Sequence, residues 1–291
     1  MTTQKDIVDE LQQVTSLKNL TEVYGEIASI RMKKIRDFVL KNREFLASIE
    51  DIFKECLKSY AFKLSLLIKS GKIKKGQKVT FLAHNGKTVA VLISANTGFY
   101  GEVVQNTFNK FLADTANLDV ETTIIGKVGR SLFVSAKPDR PYTYFELPDY
   151  GIESGKLAEV IGHLVPYEEI RVYYGQYKTV ISQKPNVLVI SSGTTVKEVP
   201  EPLDYDYIFE PSVEKILQYF EAEIFASLFD QSVRESQLAK FASRILAMDS
   251  AVQNIDKRLA ELSLDKMKII HREIGRKQIN TVSGLVSSDI F

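Results

Sequence analysis

Cysteine occurs once in these 291 residues, at position 56, and tryptophan not at all. A single thiol excludes an internal disulfide framework and suits a reducing compartment. Proline is absent from Thr3 to Ser70 and again after Pro211, so neither terminal region carries an obligatory helix break. No window approaches the run of about 18 apolar residues that a membrane-crossing helix needs. The opening MTTQKDIVDE is polar and acidic where a signal peptide would be apolar. Net charge is only +1, which gives no global attraction to nucleic acid or anionic lipid. The charge is unevenly spread: residues 1–78 hold sixteen Lys/Arg against ten Asp/Glu, residues 212–291 hold eleven of each, and the middle is left net acidic.

The signatures of catalysis are also missing. There is no Walker G-x-x-x-x-G-K-[ST] and no G-x-S-x-G elbow. His84, His163 and His271 lie in three different segments and none has a partner at i+3 or i+4, so no metal site is expected. Cys56 falls on a helical apolar stripe, which favours a packed thiol over a nucleophile. One candidate phosphate loop exists, ISANTGFYGEV, where a strand runs through Gly98 and Gly101 into a helix. It has G-x-x-G but not G-x-G-x-x-G, and tight strand-to-helix packing needs small residues there anyway. No cofactor is expected.

What the chain does have is helical periodicity at both ends. Leu238, Phe241, Ile245, Met248, Val252, Ile255, Leu259 and Leu262 recur at three-then-four spacing, the pattern of a helix that lies along another helix. With Ser212 as N-cap, one helix from there to about Gly284 would run roughly 105 Å at about 1.5 Å per residue. A compact chain of this size has a radius of gyration of only about 19 Å. Such a helix is expected to stand out from the globule as a rod. At the other end, Ile35, Phe38, Phe45, Ile49, Ile52 and Cys56 fit one heptad frame, with Asn42 as a polar register-setting interruption.

Between the two helices, SGKIKKGQK reads as a linker. KVTFLAHN, TVAVLISAN, VETTIIGKV, IRVYYGQYKTVISQ and PNVLVISSG read as strands, and helices are expected at about 102–111 and 156–164. Near-continuous apolar strands such as VAVLIS indicate a sheet covered on both faces. The expected fold is α/β: a long antiparallel coiled coil of the N-terminal (1–70) and C-terminal (212–291) helices, plus a Rossmann-like α/β domain (71–211). Pairing the two seams is the economical way to remove both from water, at about 1.5 to 3 kcal/mol for each large side chain buried.

These segments resemble the gamma subunit of F-type rotary ATP synthase over essentially the full length. The resemblance is carried by YIFEPS (207–212) and ESQLAKFASRILAMDSAVQN (235–254), with VLISANTGFYGEV, IIGKVG and the Ser283-Gly284 ending in support. It implies a noncatalytic rotor shaft that transmits torque between a membrane c-ring and a catalytic ring of alpha and beta subunits. It also implies an epsilon subunit at the foot, and a peripheral place on the cytoplasmic face of the bacterial inner membrane, with no nucleic acid and no membrane span. The alternative of a free-standing coiled-coil adaptor with a ligand-binding α/β domain leaves YIFEPS together with AMDSA unexplained, and an enzyme using the Gly98 to Gly101 turn would have to bind nucleotide.

Departures from the family pattern bear on individual contacts. LTEVYGEIASIRM places Glu22, Tyr24 and Glu26 where the family has Lys and Met. The family's Arg-Gln pair falls on Ile270 and His271, and its later Thr and Glu on Gly275 and Lys277. The basic set Lys266, Lys268, Arg272, Arg276 and Lys277 is therefore the candidate for facing acidic beta-subunit loops. Ile290 and Phe291 are the candidate apolar bearing at the end of the rod.

Overall fold

The structure, a computed structural model, describes residues 4–60, 70, 78–79, 84–191, 194–195 and 210–288. Two helices dominate the element order: α1, Gln4–Ser59, and α5, Val213–Ser288. Between them lie β1 (Lys78–Val79), β2 (Thr88–Ile93), α2 (Val103–Thr115), β3 (Glu121–Ile125), α3 (Lys127–Ala136), β4 (Thr143–Phe145), α4 (Ser154–Leu164), β5 (Glu169–Tyr177), β6 (Gln183–Ser191) and β7 (Thr194–Thr195). The chain divides into two compact units: Met1–Ser29 with Arg244–Phe291, and Ile30–Ser243. Each long helix contributes to both.

The first unit is a helix pair. Lys18 Nζ meets Asp256 Oδ1 at 2.7 Å, Arg258 reaches Glu10 at 2.7 Å, and a Cβ on Gly25 would lie 3.5 Å from Met248 Cβ. Rising numbers on α1 thus face falling numbers on α5, the antiparallel sense. On α1 the inward positions are Ile7, Leu11, Val14, Lys18, Thr21, Gly25 and Ala28, a strict alternation of four and three. Thr21 turns its hydroxyl onto the Leu17 carbonyl at 2.8 Å, the usual way a β-hydroxyl is satisfied inside a helix. On α5, Met248, Val252, Ile255 and Leu259 are half-buried and Leu262 is buried.

The second unit is built on a five-stranded sheet in the order β4-β3-β2-β5-β6. The first four strands are parallel, and β6 runs antiparallel to β5. Both faces are covered, as parallel strands require. Ala90, Leu92, Ile124 and Tyr173 pack under Phe108 and Phe111 of α2 and Phe133 of α3. Val89, Val91, Ile93, Ile125 and Val172 pack under α4, through Leu157, Val160 and Leu164, and under α5, through Phe225, Phe229 and Val233. The long C-terminal helix is therefore a layer of the α/β core as well as a partner of α1.

That double duty explains the burial along α5. From Glu235 to Ser243 every residue is buried. A helix buried all round is enclosed on more than one face. Ser212 caps it: its Oγ accepts from Lys215 N at 3.4 Å and its carbonyl accepts from Ile216 N at 3.1 Å.

Several sequence expectations are corrected. The heptad frame of α1 within this unit runs Ile35, Val39, Asn42, Leu46, Ile49, Phe53, Cys56. Phe38, Phe45 and Ile52 are 41, 49 and 49% exposed, against 3% for Val39 and 5% for Leu46. The two frames share Ile35, Asn42, Ile49 and Cys56, so a period of 3.5 alone cannot choose between them. The position of α5 chooses: Phe53 packs on Phe220 with ring centroids 6.3 Å apart, and Phe38 lies at the edge under the Arg234 guanidinium at 3.6 Å. Cys56 is buried in the seam, and burial pushes its thiol above the ordinary value.

In the sheet, VETTIIGKV is not one strand. It stops at Ile125, and Gly126, at φ 103°, turns the chain directly into the unexpected helix α3. A side chain there would strike Ala95 O at 2.8 Å. IRVYYGQYKTVISQ is likewise a strand, a turn at 178–182 and the start of the next strand, closed by Lys178 N to Ser182 O at 3.2 Å. The short strand β4 had no signal of its own. Helix α2 extends to Thr115 and α4 begins at Ser154. Residues 207–209 of YIFEPS, most of the 70–78 linker and residues 80–83 of the first expected strand lie outside the described residues.

Candidate functional site

The turn after β2 sits where parallel strands end and α2 begins, the place a phosphate would occupy in a nucleotide-binding relative of this architecture. Here the chain fills it with its own carboxylate. Asp149, on the loop after β4, accepts from Asn96 N at 3.0 Å, from Thr97 N at 3.0 Å and from Thr97 Oγ1 at 3.0 Å. The Lys240 ammonium, from the buried stretch of α5, donates to Asp149 Oδ1 at 2.9 Å and to Ser94 O at 2.8 Å. It lies 5.6 Å from the centre of the Tyr100 ring. Asn96 completes the knot, donating to Leu147 O at 2.6 Å and accepting from Lys127 N at the start of α3 at 3.1 Å.

The pair is almost sealed from water, with side-chain exposures of 6% for Lys240 and 10% for Asp149. Burial alone would raise the Asp149 carboxyl. The Lys240 charge and the Asn96 and Thr97 donors outweigh it and hold the group below its ordinary value. Two of the turn's N–H groups and one of its hydroxyls are thus directed to an internal anion that the chain supplies. One of the turn's two glycines serves close approach. Gly101 has φ 56°, and a Cβ on it would lie 2.5 Å from Ser243 Oγ of α5. Gly98, by contrast, faces open space. At the apex, Phe99 adopts φ 64° with 71% of its surface exposed, beside a groove of about 160 Å³ lined by Val104, Val128 and Leu132.

Neither Asp149 nor Lys240 was picked out by sequence reasoning. The signal was available for one of them. In SQLAKFAS a lysine sits among small and apolar residues on a helix, and a charge placed there must find a buried partner. Nothing in LPDYG marks Asp149 as that partner.

The other predicted residues fall as follows. Leu238 and Phe241 are buried in the sheet-bearing unit. Phe241 meets Tyr100 and Tyr150 edge-on, at 6.0 and 6.2 Å, and the Arg31 guanidinium at 6.0 Å. Ile245, Met248, Val252, Ile255, Leu259 and Leu262 belong to the helix-pair unit. Of the basic set, Lys266 is half-buried and Lys268, Arg272, Arg276 and Lys277 are exposed. Lys268, Arg272 and Arg276 follow one another at four-residue steps along one ridge, and Lys266 and Lys277 project from a different face. Lys268 also pairs with Asp265 at 2.9 Å and holds that carboxyl below its ordinary value. Carrying the register of 25 opposite 248 and 18 opposite 256 to the start of α1 places that end near residue 270 of α5. Beyond it, Ile274, Ile279 and Val282 are 46, 66 and 60% exposed. Ile290 and Phe291 lie outside the described residues.

Two histidines flank Tyr167: His84 Nδ1 is 3.1 Å from Tyr167 O, and the His163 ring meets the Tyr167 ring edge-on at 5.7 Å, lies tilted against Phe145 at 5.2 Å and contacts Thr123 Oγ1 at 3.2 Å. His271 is exposed. Among the described residues no three metal-ligating side chains converge, and no helix is long and apolar enough to cross a membrane.

A family model described as ATP synthase matches residues 3–284. Curated relatives include the ATP synthase gamma chains of Protochlamydia amoebophila, 22% identical over 98% of each chain, and of Elusimicrobium minutum, 26% identical over 98% of each. Among solved structures, the fold is similar to a chain of the Tetrahymena thermophila mitochondrial ATP synthase central stalk and c-ring, with TM-score 0.57, 18% identity and coverage of 80% of this chain and 99% of that one. It is also similar to a chain of the Euglena gracilis mitochondrial ATP synthase, with TM-score 0.55, 14% identity and coverage of 88% and 94%.

Proposed function

We propose, from the premise that this chain belongs to the ATP synthase family, that it is the gamma-type central rotor of such a complex. In this reading it carries torque between an ion-driven membrane ring and a catalytic ring of alpha and beta subunits, and performs no chemistry itself. The observation that carries the reading is the match of the family model to nearly the whole chain, from residue 3 to 284, on a fold whose two ends are helices of 56 and 76 residues. Two further features agree with it. The turn best placed to bind a phosphate is occupied by Asp149, and α5 continues past the start of α1 with exposed apolar and basic side chains.

The finer parts of the proposal follow from the resemblance. The α/β domain bears on an epsilon subunit and a c-ring, and the far end of α5 stands inside the alpha/beta ring. The complex sits on the cytoplasmic face of a bacterial inner membrane, with this chain as a peripheral member. Lys266, Lys268, Arg272, Arg276 and Lys277 face acidic loops of the beta subunits. Ile290 and Phe291, with the exposed Ile274, Ile279 and Val282, form the apolar bearing. The central test is co-purification of the tagged chain with alpha and beta subunits from its own host, at one copy per ring. Recovery of the chain as a monomer free of both would refute the reading. Neutralising the five cations together is expected to lower ATP synthesis in the reconstituted complex, and unchanged synthesis and torque would remove them from the contact.

A further inference from the structure

We propose that the buried Asp149/Lys240 pair is the joint that prevents slip between the α/β layers and α5 when torque passes from one to the other. This rests on the rotor reading above. Most of the contact between the layers and α5 is apolar, through Phe225, Phe229 and Val233. Apolar packing resists separation, but it is not directional, and a helix that slides or turns exchanges one apolar neighbour for another. Polar contacts with fixed geometry behave differently. Tyr174 donates to the Glu235 carboxylate at a long 3.4 Å, and Gln237 donates to Pro148 O at 3.1 Å, a bond between neutral groups. Lys240 is the strong one: a charge-assisted contact to Asp149 and a second bond to Ser94 O at the exit of β2.

The anion side is anchored just as firmly. Asp149 is held by two backbone N–H groups and one hydroxyl, and Asn96 ties the same turn to Leu147 O and to the first residue of α3. One ammonium on α5 is therefore fixed to the ends of β2 and the loop after β4, and through Asn96 to the head of α3. A slide of one residue moves Nζ by about 1.5 Å. Either direction separates opposite charges in a site closed to water, where neither finds a replacement. The close approach that brings Lys240 into range comes from a residue without bulk, Gly101, where a Cβ would lie 2.5 Å from Ser243 Oγ.

A joint and a merely stabilising pair predict different behaviour for one double substitution. Lys240→Met with Asp149→Asn removes both charges, while the amide oxygen still accepts from Asn96 and Thr97. Stability should recover towards wild type relative to the single changes, because no buried charge is stranded. Slip resistance should not recover. The complete complex would be reconstituted in vesicles with wild-type chain, each single variant and the double, and ions pumped per ATP hydrolysed would be measured beside the urea midpoint of each chain. The expected result is a coupling ratio lowered about threefold or more in the double, although its midpoint lies nearer wild type than either single. Thr97→Val, which deletes one bond to Asp149 and leaves the ion pair, is folded in any case and should be intermediate. If coupling follows stability, so that the double regains both, or if all the variants pump as wild type, the pair is no joint. Failure of the wild-type chain to enter the complex would instead overturn the rotor reading itself.

Discussion

Removing one member of the Asp149/Lys240 pair strands the other, and the structure says which loss is worse. Breaking a buried ion pair by deleting one partner costs about 3 to 5 kcal/mol. Both side chains are at most a tenth exposed, so little solvent screening discounts that figure. After Lys240→Met, Asp149 keeps two N–H donors and one hydroxyl, which places this change near the lower limit, about 3 kcal/mol. After Asp149→Asn, the single amide oxygen takes the Oδ2 place facing the Asn96 and Thr97 donors, and the ammonium keeps the Ser94 carbonyl but meets an amide nitrogen where Oδ1 stood, which places this change nearer the upper limit, about 4 to 5 kcal/mol. In a double-mutant cycle read by urea unfolding, the double should fall short of the sum by at least about 2 kcal/mol. The pH dependence follows from the depressed Asp149 carboxyl. A group whose folded value lies below its unfolded one contributes stability above the unfolded value, about 3.9, and loses it as pH falls through the folded value. The deficit of Asp149→Asn should thus be constant above about pH 5 and shrink below about pH 4. Additive single effects, or a deficit that does not change with acid, would refute the assignment of a coupled buried pair.

Three further outcomes test the packing. Leu46→Ala should cost about 2 to 5 kcal/mol, whereas Phe45→Ala, at a half-exposed ring, should cost well under half as much by the same urea assay; the reverse order would restore the frame expected from sequence. Gly126→Ala combines φ 103° with a Cβ 2.8 Å from Ala95 O and should destabilise by about 2 kcal/mol or more, seen as a lowered urea midpoint of the sheet-bearing unit. Gly275→Ala is helical with open space around it, so it should stabilise the end of α5 by about 1 kcal/mol, read as slower amide hydrogen exchange from about residue 270 onward.

The two long helices were legible because their evidence is local and repeated. Absence of proline, spacing of three and four and a capping Ser212 each act within a few residues, and all agree. The buried strands were legible for the same reason, since VAVLIS is apolar on both faces. The misreadings share one cause. Gly126 ends a strand and starts a helix because Ala95, thirty-one residues earlier, leaves no room for a side chain. The 178–182 turn divides a segment whose residue types would all suit a strand.

What the amino-acid order determined by itself was the periodicity: two helices with apolar seams and a sheet with covered faces. What only the tertiary structure decided was which face of each helix turns inward and to whom. Phe38 and Val39 are equally apolar, and the position of α5 chose between them. Lys240 carries no local mark of its partner, because Asp149 is 91 residues away and the two meet only when α5 closes one face of the sheet. Periodicity is a property of neighbours along the chain, whereas pairing a buried charge depends on groups that distant segments bring together. That is why the shaft could be read in the sequence and its joint could not.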